Sequence, residues 1–215
     1  MAITLYGHKM SLCTRRVLVV MAEKGLDLEL EKVDFLTGEH KRPPYIEKHP
    51  FGVIPLLEDG SFTIFESRAI ARYLAAKYQG QGTKLVPENG DLTAWGTFEQ
   101  WASIEYSLFH VRAEQVLVQK LFNPSKGIAT DEEAATAAVA RLRETMDVLE
   151  NTLGRQNYMG GAEFTLIDTF YLPTVDYLHY AGEGLSQEKY PNLHAWWERV
   201  TARDSWKRVT AFTSG

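Results

Sequence analysis

Residues 10–25 read MSLCTRRVLVVMAEKG, which sets a hydroxyl, a thiol and two guanidinium groups at what the pattern predicts is the opening of a helix. Free backbone N–H groups and the positive end of the helix dipole gather at such a terminus. Two chemistries follow for an anionic sulfur. Ser11 can donate its hydroxyl to a thiolate carried by a ligand, whereas Cys13 can become the thiolate itself. Residues two apart point about 200° away from each other around a helix, so the two cannot serve one sulfur through the same face. A reactive Cys13 would form mixed disulfides and transfer thiols, while Ser11 can only stabilise a thiolate and favours conjugation and peroxide reduction. Tyr6 is a third hydroxyl nearby, and Arg16 is a charge one turn into the helix. Blandly read, Cys13 is a small residue packed at the helix start.

Three other groups are weak singly and stronger together. Glu66, Ser67 and Arg68 fall where a strand gives way to a helix; Ser67 reads as a cap, but the same free N–H groups could hold a carboxylate while Glu66 accepts from an ammonium. An α-amino acid head group carries both charges. His40 and Lys41, in GEHKRPP, lie on a polar loop and could bind a second carboxylate at the other end of the same peptide. Pro55 follows Val53 and Ile54 at the head of a strand. In trans it marks an edge position; in cis it would turn the Ile54 backbone outward to pair with an extended peptide.

The elements that must position these groups come in two styles. An apolar, β-prone run over residues 2–6 precedes the Ser11 helix, which stops at Gly25. A short strand over 28–33 follows, then a polar loop, a proline-rich turn, and a hairpin over 56–64 whose turn is supplied by EDGS. The stretch ESRAIARYLAAKY then reads as one amphipathic helix. The order βαβ then ββα matches a thioredoxin-like unit, expected over residues 1–80. Gly-rich QGQGTKLVPENG marks a linker, placed at 81–90. Beyond it, over 91–215, the periodicity is helical only, through LTAWGTFEQWASIEYSLF, EEAATAAVARLRETMDVLENTLG and AWWERVTARDSWKRV. Thr165 and Asp168 have capping-box spacing; Phe164 and Thr169 make only half of a hydrophobic staple.

With 215 residues, 45% hydrophobic and 24% charged, the chain can bury a proper core. A net charge of -5 disfavours gripping phosphate backbones, so no nucleic acid is expected. No apolar run approaches the ~20 residues of a membrane span, and the start MAITLYGHK lacks the plan of a signal peptide; no membrane partner and a cytoplasmic location are expected. One cysteine forms no internal disulfide, and without Cys clusters or HExxH no metal is expected.

The chain resembles the phi-class glutathione transferases over nearly its whole length. The likeness is carried by LYG with Ser11 and Arg16-Val17, then GEHK, PFG, IP and FESRAIARY, and in the second half by KLFNP, DEEAA, LRETMDVLE, EFTLIDTFYLP, YPNLHAWW and RVTARDSW. The resemblance implies a thioredoxin-like α/β domain followed by an all-α domain, with glutathione as co-substrate. It implies that Ser11 donates to the glutathione sulfur, that His40 and Lys41 bind the glycine carboxylate, that Ile54 before a cis Pro55 pairs with the cysteinyl backbone, and that Glu66 with Ser67 takes the γ-glutamyl head. Met10, Phe35, Tyr106, Phe109, His110, Gln115 and Phe212 are expected to face a hydrophobic electrophile, and the apolar loop residue Phe51 to insert into a second subunit of a homodimer. Tyr6, whose counterpart serves catalysis in other classes, is expected to support the fold. Val53 departs from the class, which commonly has Gln or Lys there; a lost hydrogen bond to a charged group costs roughly 1.5–3 kcal/mol, so weaker glutathione affinity is expected unless Lys41 or Arg42 compensates. The rivals to a conjugating and peroxide-reducing enzyme are a Cys13-dependent thiol transferase or dehydroascorbate reductase, and a non-catalytic carrier of apolar ligands.

Overall fold

The computed structural model describes residues 3–214; Ala2, the first residue of the expected 2–6 strand, lies outside them. Two compact units emerge, one of residues 1–85 with 203–215 and the other of residues 86–202. The boundary falls inside the expected 81–90 linker, but the last residues, expected with the helical domain, belong to the first unit.

In that unit β1 (Ile3–Gly7) leads through a tight turn into α1 (Leu12–Glu23). The turn is possible because residue 7 is glycine: a Cβ there would lie 2.5 Å from Thr14 Oγ1, and Thr14 is fully buried. The second strand, expected over 28–33, forms only at β2 (Glu31–Lys32), parallel to Tyr6 and Gly7. After a 3-10 turn at Glu39–Lys41 and the short α2 (Tyr45–Lys48) come β3 (Leu56–Asp59) and β4 (Phe62–Phe65). Their hairpin closes over Gly60 and Ser61, with Gly60 at φ +62°, as EDGS predicts. The sheet order is β2-β1-β3-β4, mixed as a βαβ followed by a hairpin requires.

Helix α3 (Ser67–Lys77) packs against α1. The run Val17, Leu18, Val19 and Val20 is fully buried, so α1 is covered on all sides, which explains why its sequence is a continuous apolar run and not a stripe. Part of that cover comes from the other end of the chain. The expected single helix over 195–209 breaks at Ala202 and Arg203 into two, the second of which buries Trp206 and Val209.

The second unit begins with α4 (Leu92–Ile104), which continues through a π-helical turn at Glu105–His110 into α5 (Val111–Leu117), a second π turn at Val118–Phe122 and α6 (Asn123–Ser125). Then follow α7 (Glu132–Leu153), α8 (Leu166–Tyr180) and α9 (Pro191–Thr201), and the chain ends in α10 (Asp204–Ser214), the helix that returns to the first unit. The capping box at the start of α8 is formed. Asp168, wholly buried, accepts from the N–H groups of Met159 and Thr165 at 2.9 Å each and from Trp196 Nε1 at 2.8 Å. Burial raises its pKa to about 6, against the pull of these donors. No helix among the described residues is long and apolar enough to cross a membrane.

The tail is fastened by charge as well as packing. Glu23, at the end of α1, accepts from Arg203 Nε at 2.6 Å and Nη2 at 2.8 Å, from Ser205 at 2.5 Å and from Thr83 at 2.5 Å. Burial alone would raise the Glu23 pKa, but the donors outweigh it and hold it below its ordinary 4.5. Stability from this group is therefore present above the unfolded value and lost as pH falls through the lower folded one. Arg203→Ala strands a buried carboxylate and is expected to cost about 3 kcal/mol at neutral pH. Denaturant titrations of wild type and variant should show that deficit shrinking as pH falls below the ordinary carboxylate value; a deficit that does not change with pH would contradict the ion pair.

Candidate functional site

Ser11 is the N-cap of α1, in extended conformation, and its Oγ accepts the Thr14 N–H at 3.2 Å. A hydroxyl has one proton and two lone pairs. Because the cap uses a lone pair, the Ser11 proton is left to point away from the helix, where an anionic sulfur would meet both it and the dipole end. The preceding residues form a scaffold for this turn: the Ser11 N–H donates to His8 O at 2.9 Å, and His8 packs edge-on against Phe35 with ring centroids 5.0 Å apart. Met10 is 59% exposed, and the Lys9 ammonium lies 5.2 Å from the centre of the Phe212 ring. Three residues expected to face an apolar ligand thus surround the residue 8–11 turn.

Tyr6 does not share in this. Its hydroxyl donates to Glu58 at 2.8 Å and accepts from Lys48 at 3.4 Å, within the Lys48–Glu58 ion pair. The Glu58 bond raises its pKa above the usual tyrosine value, the opposite of what a thiolate-stabilising phenol requires. This agrees with a supporting role.

The residue that sequence reading undervalued is Arg16. It is fully buried, and its Nη1 donates to Ser67 Oγ at 2.9 Å and approaches Cys13 Sγ at 3.5 Å. One guanidinium therefore joins Cys13 on α1 to Ser67 at the start of α3. The only sequence signal was a charge placed between Thr14 and the apolar run, which i, i+3 spacing puts on the Cys13 side of the helix.

Glu66 precedes α3 with φ +70°, an uncommon conformation for a residue with a Cβ. Such backbone costs on the order of 1–3 kcal/mol and collects at ligand sites. It leaves Glu66 exposed beside the buried Ser67. The Ile54–Pro55 peptide is cis, which decides between the two readings of Pro55; Pro43–Pro44 is cis as well.

Lys41 Nζ donates to Phe51 O at 3.1 Å, and Gly52, at φ +55°, lies so close that a Cβ would be 2.7 Å from His40 O. His40 and Lys41 are thus brought against the loop that leads to Ile54. Burial, aided by Lys41, lowers the His40 pKa. The same loop is seated on His49, which sequence reading passed over. Its ring is fully buried, stacks on Phe65 at 4.3 Å, and has no hydrogen-bond partner for either nitrogen among the described residues. Burial lowers its pKa too, so it is a neutral aromatic wedge. Val53 contributes its carbonyl to Tyr45 Oη at 2.7 Å, and its exposed side chain has no polar atom to offer.

In the second unit Tyr106 is 58% exposed and stacks over His110 with centroids 6.5 Å apart, both on the first π turn. Gln115 is exposed on α5. Phe109 is a correction to the expected pocket: it is 2% exposed and packs on Tyr171 at 4.6 Å, so its ring is core, turned inward by the same π turn that leaves Tyr106 outside. A surface cleft of about 350 Å³ lined by Leu153, Gly154, Arg155, Gln156, Asn157 and Ala162 holds none of the candidate residues.

The chain is similar to proteins of one known family. The family model for the glutathione S-transferase N-terminal domain matches residues 1–76, and that for the C-terminal domain residues 132–199. Glutathione S-transferase PM239X14 of Arabidopsis thaliana is 44% identical over 197 residues, 91% of this chain and 89% of its own length. The crystal structure of glutathione transferase F7 from Populus trichocarpa superposes with a TM-score of 0.91 at 35% identity, covering 98% of each chain. Glutathione S-transferase I from mais, solved in complex with an atrazine glutathione conjugate, gives 0.88 at 28% identity, covering 100% of this chain and 99% of its own.

The closeness of Gly52 to His40 and Ile46 yields a direct expectation. Gly52→Ala forces a Cβ into backbone at a positive φ and should lower stability by about 1–3 kcal/mol, measured by denaturant unfolding; an unchanged midpoint would mean that the loop is not held as described.

Proposed function

The chain belongs to the glutathione S-transferase family, with phi-class relatives, and is a transferase; from that premise we propose that it joins reduced glutathione to hydrophobic electrophiles and also reduces organic hydroperoxides, through a thiolate stabilised by Ser11. The observation that carries this reading is the state of the Ser11 hydroxyl, whose oxygen accepts the Thr14 N–H and whose proton is therefore available to a sulfur at the end of α1.

A free thiol has a pKa near 8.5, and bringing it down by about two units needs roughly 2.7 kcal/mol of preference for the anion. A charge-assisted hydrogen bond and a helix N-terminus each supply about 1–2 kcal/mol, so Ser11 together with α1 suffices. Once the thiolate is formed, the attack on carbon or on peroxide oxygen needs no further base, and holding the two reactants together does the rest. Glu66 and Ser67 take the γ-glutamyl head, the Ile54 backbone before Pro55 pairs with the cysteinyl residue, and His40 and Lys41 hold the glycine carboxylate. Met10, Phe35 and Phe212 are the apolar side chains the first unit offers to the electrophile; Tyr106, His110 and Gln115 are the candidates of the second. The apolar Val53 side chain predicts modest glutathione affinity. No metal takes part, and a cytoplasmic setting suits a reduced thiol co-substrate.

The test compares wild type, Ser11→Ala and Cys13→Ser in conjugation to an activated aryl halide and in reduction of an organic hydroperoxide. Ser11→Ala should lose about 2 kcal/mol of stabilisation, roughly 30-fold in rate, with Cys13→Ser near wild type. If Cys13→Ser abolishes activity instead, the thiol-transferase reading replaces this one, and binding without turnover in all three would favour a carrier.

Phe51 is 69% exposed, with its ring edge-on to His49 and Phe65. We read it as an anchor into a second copy of the chain. Light scattering should give a dimer for wild type and a shift to monomer for Phe51→Ser; a dimer that survives the change at low protein concentration would assign the contact elsewhere.

A further inference from the structure

We infer that Tyr45 is a positioning residue for the cysteinyl carbonyl of glutathione: its hydroxyl fixes the plane of the Val53–Ile54 peptide and so aims the Ile54 N–H at the ligand. This rests on the glutathione site proposed above. Tyr45, the first residue of α2, donates from Oη to Val53 O at 2.7 Å. That oxygen belongs to the same peptide unit as the Ile54 N–H. The unit is trans, because among the described residues only the bonds before Pro44 and Pro55 are cis. In a planar trans peptide the C=O and the N–H point in opposite directions, so holding the carbonyl at the phenol turns the N–H away from it.

Burial decides which way that is. Tyr45 is 5% exposed and clusters with Val33 and Leu56, and the Ile54 side chain packs against the same group. The carbonyl is therefore held on the core side of the loop and the N–H faces out, where among the described residues it donates to no backbone carbonyl. The neighbouring residues do not set this plane: the Gly52 N–H turns back to His49 O at 2.8 Å, and the Val53 side chain is apolar and exposed. A donor on the carbonyl also polarises the amide and strengthens its N–H as a donor. Burial raises the Tyr45 pKa above the usual tyrosine value, so the phenol keeps its proton over the range in which a thiol ionises.

The experiment measures KM and kcat for glutathione and for its reduced-amide isostere, in which a methylene replaces the cysteinyl carbonyl while the thiol, the γ-glutamyl head and the glycine are kept. Wild type, Tyr45→Phe and Val33→Ala are compared, with thermal unfolding as a check on folding. Tyr45→Phe keeps the ring and removes only the donor, whereas Val33→Ala loosens the same cluster and leaves the hydroxyl. Tyr45→Phe should raise KM for glutathione roughly fivefold, with kcat within about twofold, and leave KM for the isostere unchanged. Val33→Ala should act alike on both peptides. Equal effects of Tyr45→Phe on the two, or a glutathione-selective rise with Val33→Ala, would reduce Tyr45 to packing and overturn the inference. A second readout needs no variant and decides the matter should Tyr45→Phe fail to fold. Val53–Ile54 is the only Val-Ile pair in the sequence, so isotope labels on the valine carbonyl and the isoleucine nitrogen single out this peptide by NMR. In wild type, glutathione should shift both the Ile54 amide proton and the Val53 carbonyl carbon downfield, the second because the Tyr45 bond tightens as the N–H is engaged. The absence of either shift would overturn the inference. Wild type that binds neither peptide by calorimetry would remove the glutathione site itself, an outcome distinct from binding that ignores the cysteinyl carbonyl.

Discussion

A hydroxyl has a single proton and two lone pairs, and the starts of α1 and α3 depend on two serines whose lone pairs are engaged. Ser11 accepts a backbone N–H from its own helix and Ser67 accepts from the buried Arg16 guanidinium. In both cases the contact occupies an oxygen lone pair at the start of a helix and does not use the hydroxyl proton. Donor oxygens prepared in this way need not reorganise when an anion arrives, which is where preorganised electrostatics gains over water. The packing serves that end: α1 and α3 lie against each other, and the fully buried run Val17, Leu18, Val19 and Val20 fixes α1 so that the Arg16 side chain spans the distance to Ser67.

The rim of the site is held differently. On the side of His40 and Lys41 the loop from His49 to Pro55 is shaped by van der Waals contact, the His49 ring stacked on Phe65 and the missing Cβ of Gly52, with one hydrogen bond from Lys41 to Phe51 O. The Ser11 and Ser67 side is thus held by directional hydrogen bonds and the His40 and Lys41 side largely by shape.

What could be read in the sequence was local. Ser11 as an N-cap, the EDGS hairpin and the Thr165–Asp168 capping box follow from short-range chemistry, and each is formed; Ser67, read as a cap, is instead the first residue of α3, with Glu66 at the N-cap and no side-chain cap bond. The isomer of Pro55 could not be decided from adjacent residues, because the bland trans edge and the cis turn share one sequence. Arg16 read simply as a charge one turn into the helix, because its partner Ser67 is 51 positions away. Phe109 and Tyr106 have the same apolar look, and only the π turn, which changes the angular spacing of side chains along an otherwise regular helix, separates the buried one from the exposed one. The break at Ala202 and Arg203 was hidden by periodicity that continues across it.

The return of α10 to the first unit has a consequence for the order in which the protein is made. A ribosome releases residues 1–85 early, but the unit they form lacks the arginine and serine that satisfy Glu23 and the Trp206 and Val209 side chains buried with α10 until residues 203–209 have left the exit tunnel. The unit that is begun first must wait for a segment made after the whole helical unit. A molecule cut short before Arg203 would therefore be defective in its N-terminal unit, although that unit's other residues lie far upstream of the cut.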